Sequence, residues 1–166
     1  PRKVVIDKGM AQGVVPGSPV IDEAGVLGQV TRVHGLVSEV TLVTDRDQAT
    51  PVLNARTGMR SVGYGEPSGT YAGTLELRFM PVSADVKEGD LLTTSGVDGV
   101  YPAGLPVAKV VQVERRAESA FARIHAMPQA MASGARHVMV LLPTGELLPA
   151  RPPADDPSPA RKGAHK

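Results

Sequence analysis

The sequence predicts an all-β fold of small, glycine-rich barrels, on three observations. Its 166 residues include 18 glycines and 15 prolines, a density that breaks regular helices and suits short strands and turns. Apolar and polar residues alternate over several short stretches instead of recurring at helical spacing. Pairs of β-branched or apolar residues sit between closely spaced glycines, as in the tightly bent strands of a small barrel.

Residues 4–6 read as a strand ended by the turn formers Asp7, Lys8 and Gly9. Glycines 9, 13, 17, 25 and 28 then exclude a helix, leaving Val14-Val15, Val20-Ile21 and Val26-Leu27 as strand cores. In residues 38–44, Val40 and Leu42 share one face and Glu39 and Thr41 the other, a half-buried strand. Residues 50–53 and 60–64 follow as strands. In 74–79, Leu75, Leu77 and Phe79 lie opposite Glu76 and Arg78, until Pro81 ends the pattern. Strands at 91–94, 105–114, 120–127 and 136–142 complete the set. In 120–127, Ala122, Ile124 and Ala126 share a face opposite Phe121, Arg123 and His125. The one helix expected is a single turn over 129–133, begun after Pro128 and closed by Gly134.

The segment VVPGSPVIDEAGVLGQVTRV echoes DVKEGDLLTTSGVDGVYPAGLPVAKVVQV in its order of valines and glycines, which two similar β-modules would explain. They fill residues 1–146 either in tandem, with a boundary near 70–80, or nested, with boundaries near 38–44 and 80–86. Residues 147–166 turn to Pro, Ala and Arg and are expected to form a flexible, disordered tail.

Charge and composition exclude several functions. The net charge of +1 owes its sign to the tail 151–166, and the body before it carries −1. A protein that neutralises phosphates shows a basic face, and none is concentrated here, so no nucleic-acid partner is expected. The absence of cysteine removes disulfides, thiolate metal sites and cysteine nucleophiles together. The apolar run at residues 138–142 is far short of the roughly 20 residues of a helical membrane span. No initiator methionine or signal peptide is visible, and the chain is expected to be a piece of a longer protein.

The strongest catalytic alternative is a serine-protease-like set of His34, Asp45 and Ser95, in the chain order of a two-barrel hydrolase. Local detail opposes it: Ser95 sits in TTSGVDG without a nucleophile elbow or an oxyanion loop, and ordinary turn chemistry explains it. His125 and His137 would ligate a metal only if their strands converged, and the acids of Asp45-Arg46-Asp47 and Asp155-Asp156 read as solvated turn caps. No catalytic, metal or cofactor residue is therefore assigned. A cell-wall ligand module would need an aromatic-lined groove, which five scattered aromatics supply thinly.

Several segments in order resemble one family, the bacterial rod shape-determining protein MreC: VVIDKGMAQGVVPGSPVI, GVLGQVTRV, SEVTLVTD, RTGMRS, MPVSADVKEGDLLTTSGVDGVYPAGLPVAKV and FARIHAMPQA. The run GDLLTTSG followed by YPAGLPV is the most specific of these, and the likeness extends from Val4 to Leu142. The resemblance implies two small β-barrels on the periplasmic face of the inner membrane, reached through a single N-terminal anchor and a dimerising coiled coil outside these residues. It implies a non-catalytic scaffold of the cell-elongation machinery, binding a class B penicillin-binding transpeptidase together with MreD, RodA and MreB. It also implies self-association as a dimer or filament, and brings no cofactor. The candidate partner-binding residues are Phe121, Tyr101 and Leu105.

Overall fold

A computed structural model describes residues 2–66, 68–130 and 137–142. The strands run β1 (Lys3–Ile6), β2 (Pro19–Ile21), β3 (Val26–Val33), β4 (Ser38–Leu42), β5 (Ala49–Asn54) and β6 (Arg60–Glu66). They continue with β7 (Thr74–Pro81), β8 (Leu91–Thr94), β9 (Pro106–Glu114), β10 (Phe121–Pro128) and β11 (Met139–Val140). Between β1 and β2 a single 3-10 turn spans Met10–Gln12, and it ends where Gly13 takes a left-handed φ of 81°. Of the helical turn expected over 129–133, Gln129 and Ala130 are bends, and the rest lies outside the described residues.

All strand pairs are antiparallel. Six strands close a barrel in the order β10-β7-β6-β5-β8-β9, and the other five form a sheet in the order β1-β4-β3-β2-β11. One closed barrel is thus present where two were expected. Among the described residues the second sheet is open, its outer strands, the four-residue β1 and the two-residue β11, each pairing on one side. The chain enters the barrel between β4 and β5 and leaves it between β10 and β11, so the second change of sheet falls after Pro128 and not at 80–86. The echo noted in the sequence corresponds to two hairpins, β2–β3 in the sheet and β8–β9 in the barrel.

Each sheet encloses an apolar cluster. Inside the barrel, Val52, Leu75, Leu77, Leu92, Val107 and Ile124 are essentially inaccessible to water, at roughly 1.5–3 kcal/mol for each large side chain. Val20, Leu27, Val30 and Val40 fill the sheet's cluster, joined by Ala130 from beyond β10. The two bodies touch at the β2–β3 turn: Val26 belongs to the barrel's cluster, and a Cβ on Gly25 would lie 2.3 Å from the carbonyl oxygen of Pro106 at the start of β9. Only glycine permits that backbone approach. The basic tail expected over 151–166 and the acids Asp155 and Asp156 lie outside the described residues.

A polar lock closes one side of the barrel. Asp90, 7% exposed, accepts hydrogen bonds from Arg56 Nε at 2.7 Å, Asn54 Nδ2 at 2.8 Å and the Lys87 backbone N–H at 2.9 Å. Arg56 also reaches Asp85 at 3.0 Å, so the β5–β6 turn is tied to the loop that precedes β8. The Arg56 guanidinium, aided by Asn54 and the Lys87 N–H against the cost of burial, holds the Asp90 carboxyl well below the usual carboxylate range.

Two outcomes follow from these contacts. Gly25→Ala is expected to lower stability by about 1–3 kcal/mol through overpacking at the joint, read by chemical denaturation. Asp90→Asn is expected to lower the denaturation midpoint, because Arg56 then keeps only the exposed Asp85 carboxylate as its counter-charge. A depressed carboxyl stabilises the fold above its unfolded pKa of roughly 3.9 and loses that contribution as pH falls further, so thermal melts should drop below about pH 4 more steeply in the wild type than in Asp90→Asn.

Candidate functional site

The outer face of β6, β7 and β10 gathers four of the chain's five aromatic side chains, arranged in three contacts. The register sets the alternation: Gly63, Leu77 and Ile124 form one cross-strand row and Tyr64, Glu76 and His125 the next. Leu77 and Ile124 point inward, so the row of Tyr64, Glu76 and His125 points outward. Arg78 lies over the Tyr64 ring, its guanidinium carbon 4.3 Å from the centroid, a cation–π contact.

A bulge interrupts this alternation. From Leu77 to Met80, β7 advances three residues while the facing segment of β10, Ala122 to Ile124, advances two. Phe79 absorbs the extra residue with a φ of 60°, alone among the described non-glycine residues in having a positive φ. For a bulky side chain that conformation costs roughly 1–2 kcal/mol. Met80, 5% exposed, takes the inward place, and Phe79 is 76% exposed. This corrects the reading that set Phe79 beside Leu75 and Leu77: the extra residue turns it to the opposite face.

Phe121, expected at a binding surface, is 52% exposed and meets Phe79 edge to face, with ring centroids 6.1 Å apart. Ser119 fixes the start of β10, its hydroxyl donating to the Phe121 carbonyl at 2.9 Å and accepting from the Phe121 N–H at 3.2 Å. The two rings line an open groove of about 270 Å³ whose polar walls are Glu76, Arg78, Ser119 and Arg123.

The other two expected residues are not on this face. Tyr101 is 2% exposed inside the barrel cluster, and burial pushes its phenol well above the usual value. The β8–β9 loop folds it inward because the Asp98 carboxylate accepts the backbone N–H groups of Val100 and Tyr101. Leu105 is half-buried against the same cluster. Its N–H donates to Thr94 Oγ1 at 2.9 Å, while that hydroxyl donates to the Pro102 carbonyl, so Thr94 pins the loop from both sides.

The hydrolase alternative is not assembled. His34 is exposed in the β3–β4 turn, where its backbone pairs with Val37 and Met10. Although burial opposes it, the Asp45 carboxylate accepts the backbone N–H groups of Asp47 and Arg2, which hold its pKa down. The Ser95 hydroxyl is buried after β8 without a hydrogen-bond partner. No hydrogen bond joins any two of the three. His137 is exposed, and among the described residues no group of three or more metal-ligating side chains comes together.

His125 departs from the alternation in burial though not in direction. It points outward, yet Tyr71 from the β6–β7 loop stacks on it at 3.9 Å and 9°, leaving it 5% exposed with Nδ1 unpartnered. Thr74 anchors that loop, its N–H and hydroxyl both donating to the Tyr71 carbonyl. Burial lowers the His125 pKa, opposed by Glu76 and Glu66. A base with a depressed folded pKa is stabilising above its unfolded value of roughly 6.5 and destabilising as pH falls toward the folded one. Melting temperature is therefore expected to fall between about pH 7 and 5, and His125→Phe, which keeps a ring under Tyr71 without a titrating group, should flatten that slope.

The family model for rod shape-determining protein MreC, barrel core, matches residues 1–142. Over 139 residues the chain is 38% identical to the cell shape-determining protein MreC of Escherichia coli strain K12, which aligns 84% of this chain with 37% of that protein. The chain thus spans well under half the length of that relative. The crystal structure of MreC from Pseudomonas aeruginosa superposes with a TM-score of 0.79 at 38% identity, covering 84% of this chain and 88% of that one. MreC in a complex with penicillin-binding protein PBP2 from Helicobacter pylori superposes with a TM-score of 0.58 at 22% identity, covering 74% of each chain, a likeness of fold.

Proposed function

Since the chain belongs to the rod shape-determining MreC family, we propose that it is a scaffold segment of the bacterial cell-elongation machinery that binds a class B penicillin-binding transpeptidase. It performs no chemistry of its own, and it positions or activates that enzyme for lateral peptidoglycan synthesis on the periplasmic face of the inner membrane. The observation that carries this reading is the exposed phenyl pair at Phe79 and Phe121, apolar surface held in water on a barrel whose interior holds no cavity chemistry. The Helicobacter pylori relative, solved in a complex with PBP2, supplies the class of partner.

Activation by binding requires that the scaffold prefer one of two states of the enzyme, and it shifts the balance by the ratio of the two affinities. MreD, RodA, the MreB filament and a second copy of the chain belong to the same proposal as further members of the assembly, to be sought by cross-linking in envelope membranes.

The test is a direct titration of this chain against the purified periplasmic part of the transpeptidase from the same organism. Saturable binding is expected, in about the micromolar range of transient interfaces, with a faster rate of acylation by a fluorescent penicillin in the complex. Absence of binding at the highest soluble concentration would overturn the reading.

A further inference from the structure

We propose that a pocket on the outer wall of the barrel, between the β6–β7 loop and β10, binds an α-amino acid centre, with its ammonium at Glu66 and its carboxylate at Arg123. The inference stands apart from the transpeptidase reading, because it concerns a small ligand and this chain alone.

The pocket holds about 250 Å³ and is lined by Glu66 at the end of β6, Ser68 and Thr70 of the following loop, Glu76 of β7, and Arg123 and His125 of β10. It is smaller than the roughly 300–1,000 Å³ of sites for drug-sized ligands, which suits a single amino acid. Its walls carry opposite charges that do not meet. Among the described residues neither the Glu66 carboxylate nor the Arg123 guanidinium makes a hydrogen bond or an ion pair. Their neighbours are provided for: Arg78 lies 3.9 Å from Glu76, and Glu114, across from Arg123 on β9, is held by Arg116 at 2.8 Å.

The strand register keeps the two charges apart. Glu76 and His125 form one cross-strand pair, and Arg123 lies one outward position before that row on β10, roughly 7 Å along the strand. Glu66 lies on the other side of the row, since it pairs with Thr74. Between them sits His125, 5% exposed under the Tyr71 ring, with Nδ1 unpartnered.

The chemistry of the walls narrows the ligand. A bare metal ion would meet the Arg123 cation, and among the described residues no group of three metal-ligating side chains comes together. A phosphate or sulfate would meet the carboxylates of Glu66 and Glu76. Burial lowers the His125 pKa, so the imidazole is uncharged at neutral pH and adds no further cation. A molecule with an ammonium and a carboxylate on one carbon answers both free walls, and the hydroxyls of Ser68 and Thr70 offer it further hydrogen bonds. Free amino acids and the amino-acid ends of wall peptides share that chemistry.

The experiment follows the His125 imidazole of this chain by NMR while glycine, lysine, acetate or methylamine is added. Glycine and lysine should shift its resonances saturably, in about the millimolar range, and acetate and methylamine, each with one of the two charges, should bind at least about tenfold more weakly. Glu66→Gln and Arg123→Gln should each weaken glycine binding about three- to tenfold at an unchanged melting temperature, and Arg123→Lys should recover part of the loss. Charges with a purely structural role would move the melt and leave the titration alone.

A soluble wall peptide with a free amino-acid end forms the second arm. Tighter binding than glycine identifies the wall as the source of the ligand and weaker binding identifies a free solute, and either result upholds the site. His125 resonances unmoved by every probe, shifts with acetate or methylamine equal to those with glycine, or wild-type titrations in both charge-removing variants would overturn the proposal. None of these outcomes bears on the proposed function, which is tested against the transpeptidase.

Discussion

Closure of the six-stranded barrel through β10 is the constraint on which the rest depends. β10 pairs with β7 on one side and β9 on the other, and its inward side chains are Ala122, Ile124 and Ala126. Two alanines leave the room that Leu75, Leu77, Leu92 and Val107 occupy, so the ring of strands closes over a filled interior. Over residues 75–77 of β7 and 124–126 of β10 the strands are paired on both sides within the barrel, and there the outer face acts through what its side chains display. The bulge at Phe79, the stacked Tyr71–His125 pair and the phenyl groove are all consequences of how those two strands meet.

The open sheet obeys a different rule. Its five strands bury one apolar cluster and, among the described residues, end at β1 and β11, and it gains its second attachment from the barrel, where Val26 and Gly25 meet the start of β9. The β2–β3 and β8–β9 hairpins that echo each other in sequence come from the two bodies, and β3 and β9 lie in contact. A shared pattern of valine and glycine therefore serves two tasks, with one hairpin completing a barrel and the other capping a sheet against it.

How much of this could be read beforehand depended on the range of the interaction involved. Alternation is local, and strands such as Ser38–Leu42 and Leu91–Thr94 stood out because neighbouring residues alone decide them. The ordered motifs also marked the family. The Phe79 bulge was hidden because an extra residue is defined only against the partner strand, which no window of sequence contains. Tyr101 was misplaced for a related reason: its burial comes from Asp98 turning a loop inward, and an aromatic among turn residues resembles a surface side chain. The pairing of Phe121 with Phe79 was visible only as two separate phenylalanines, and the open order of the second sheet is set by which strands pair across it, which alternation along one strand does not reveal.

The contact of Gly25 with Pro106 has a mechanical meaning. Backbone packed on backbone has no side chain to yield, so the sheet cannot slide along β9 without breaking the joint. Whatever grips the sheet thereby sets the compass bearing of the barrel, and the phenyl groove on its flank is steered from a distance as a rudder is by its tiller.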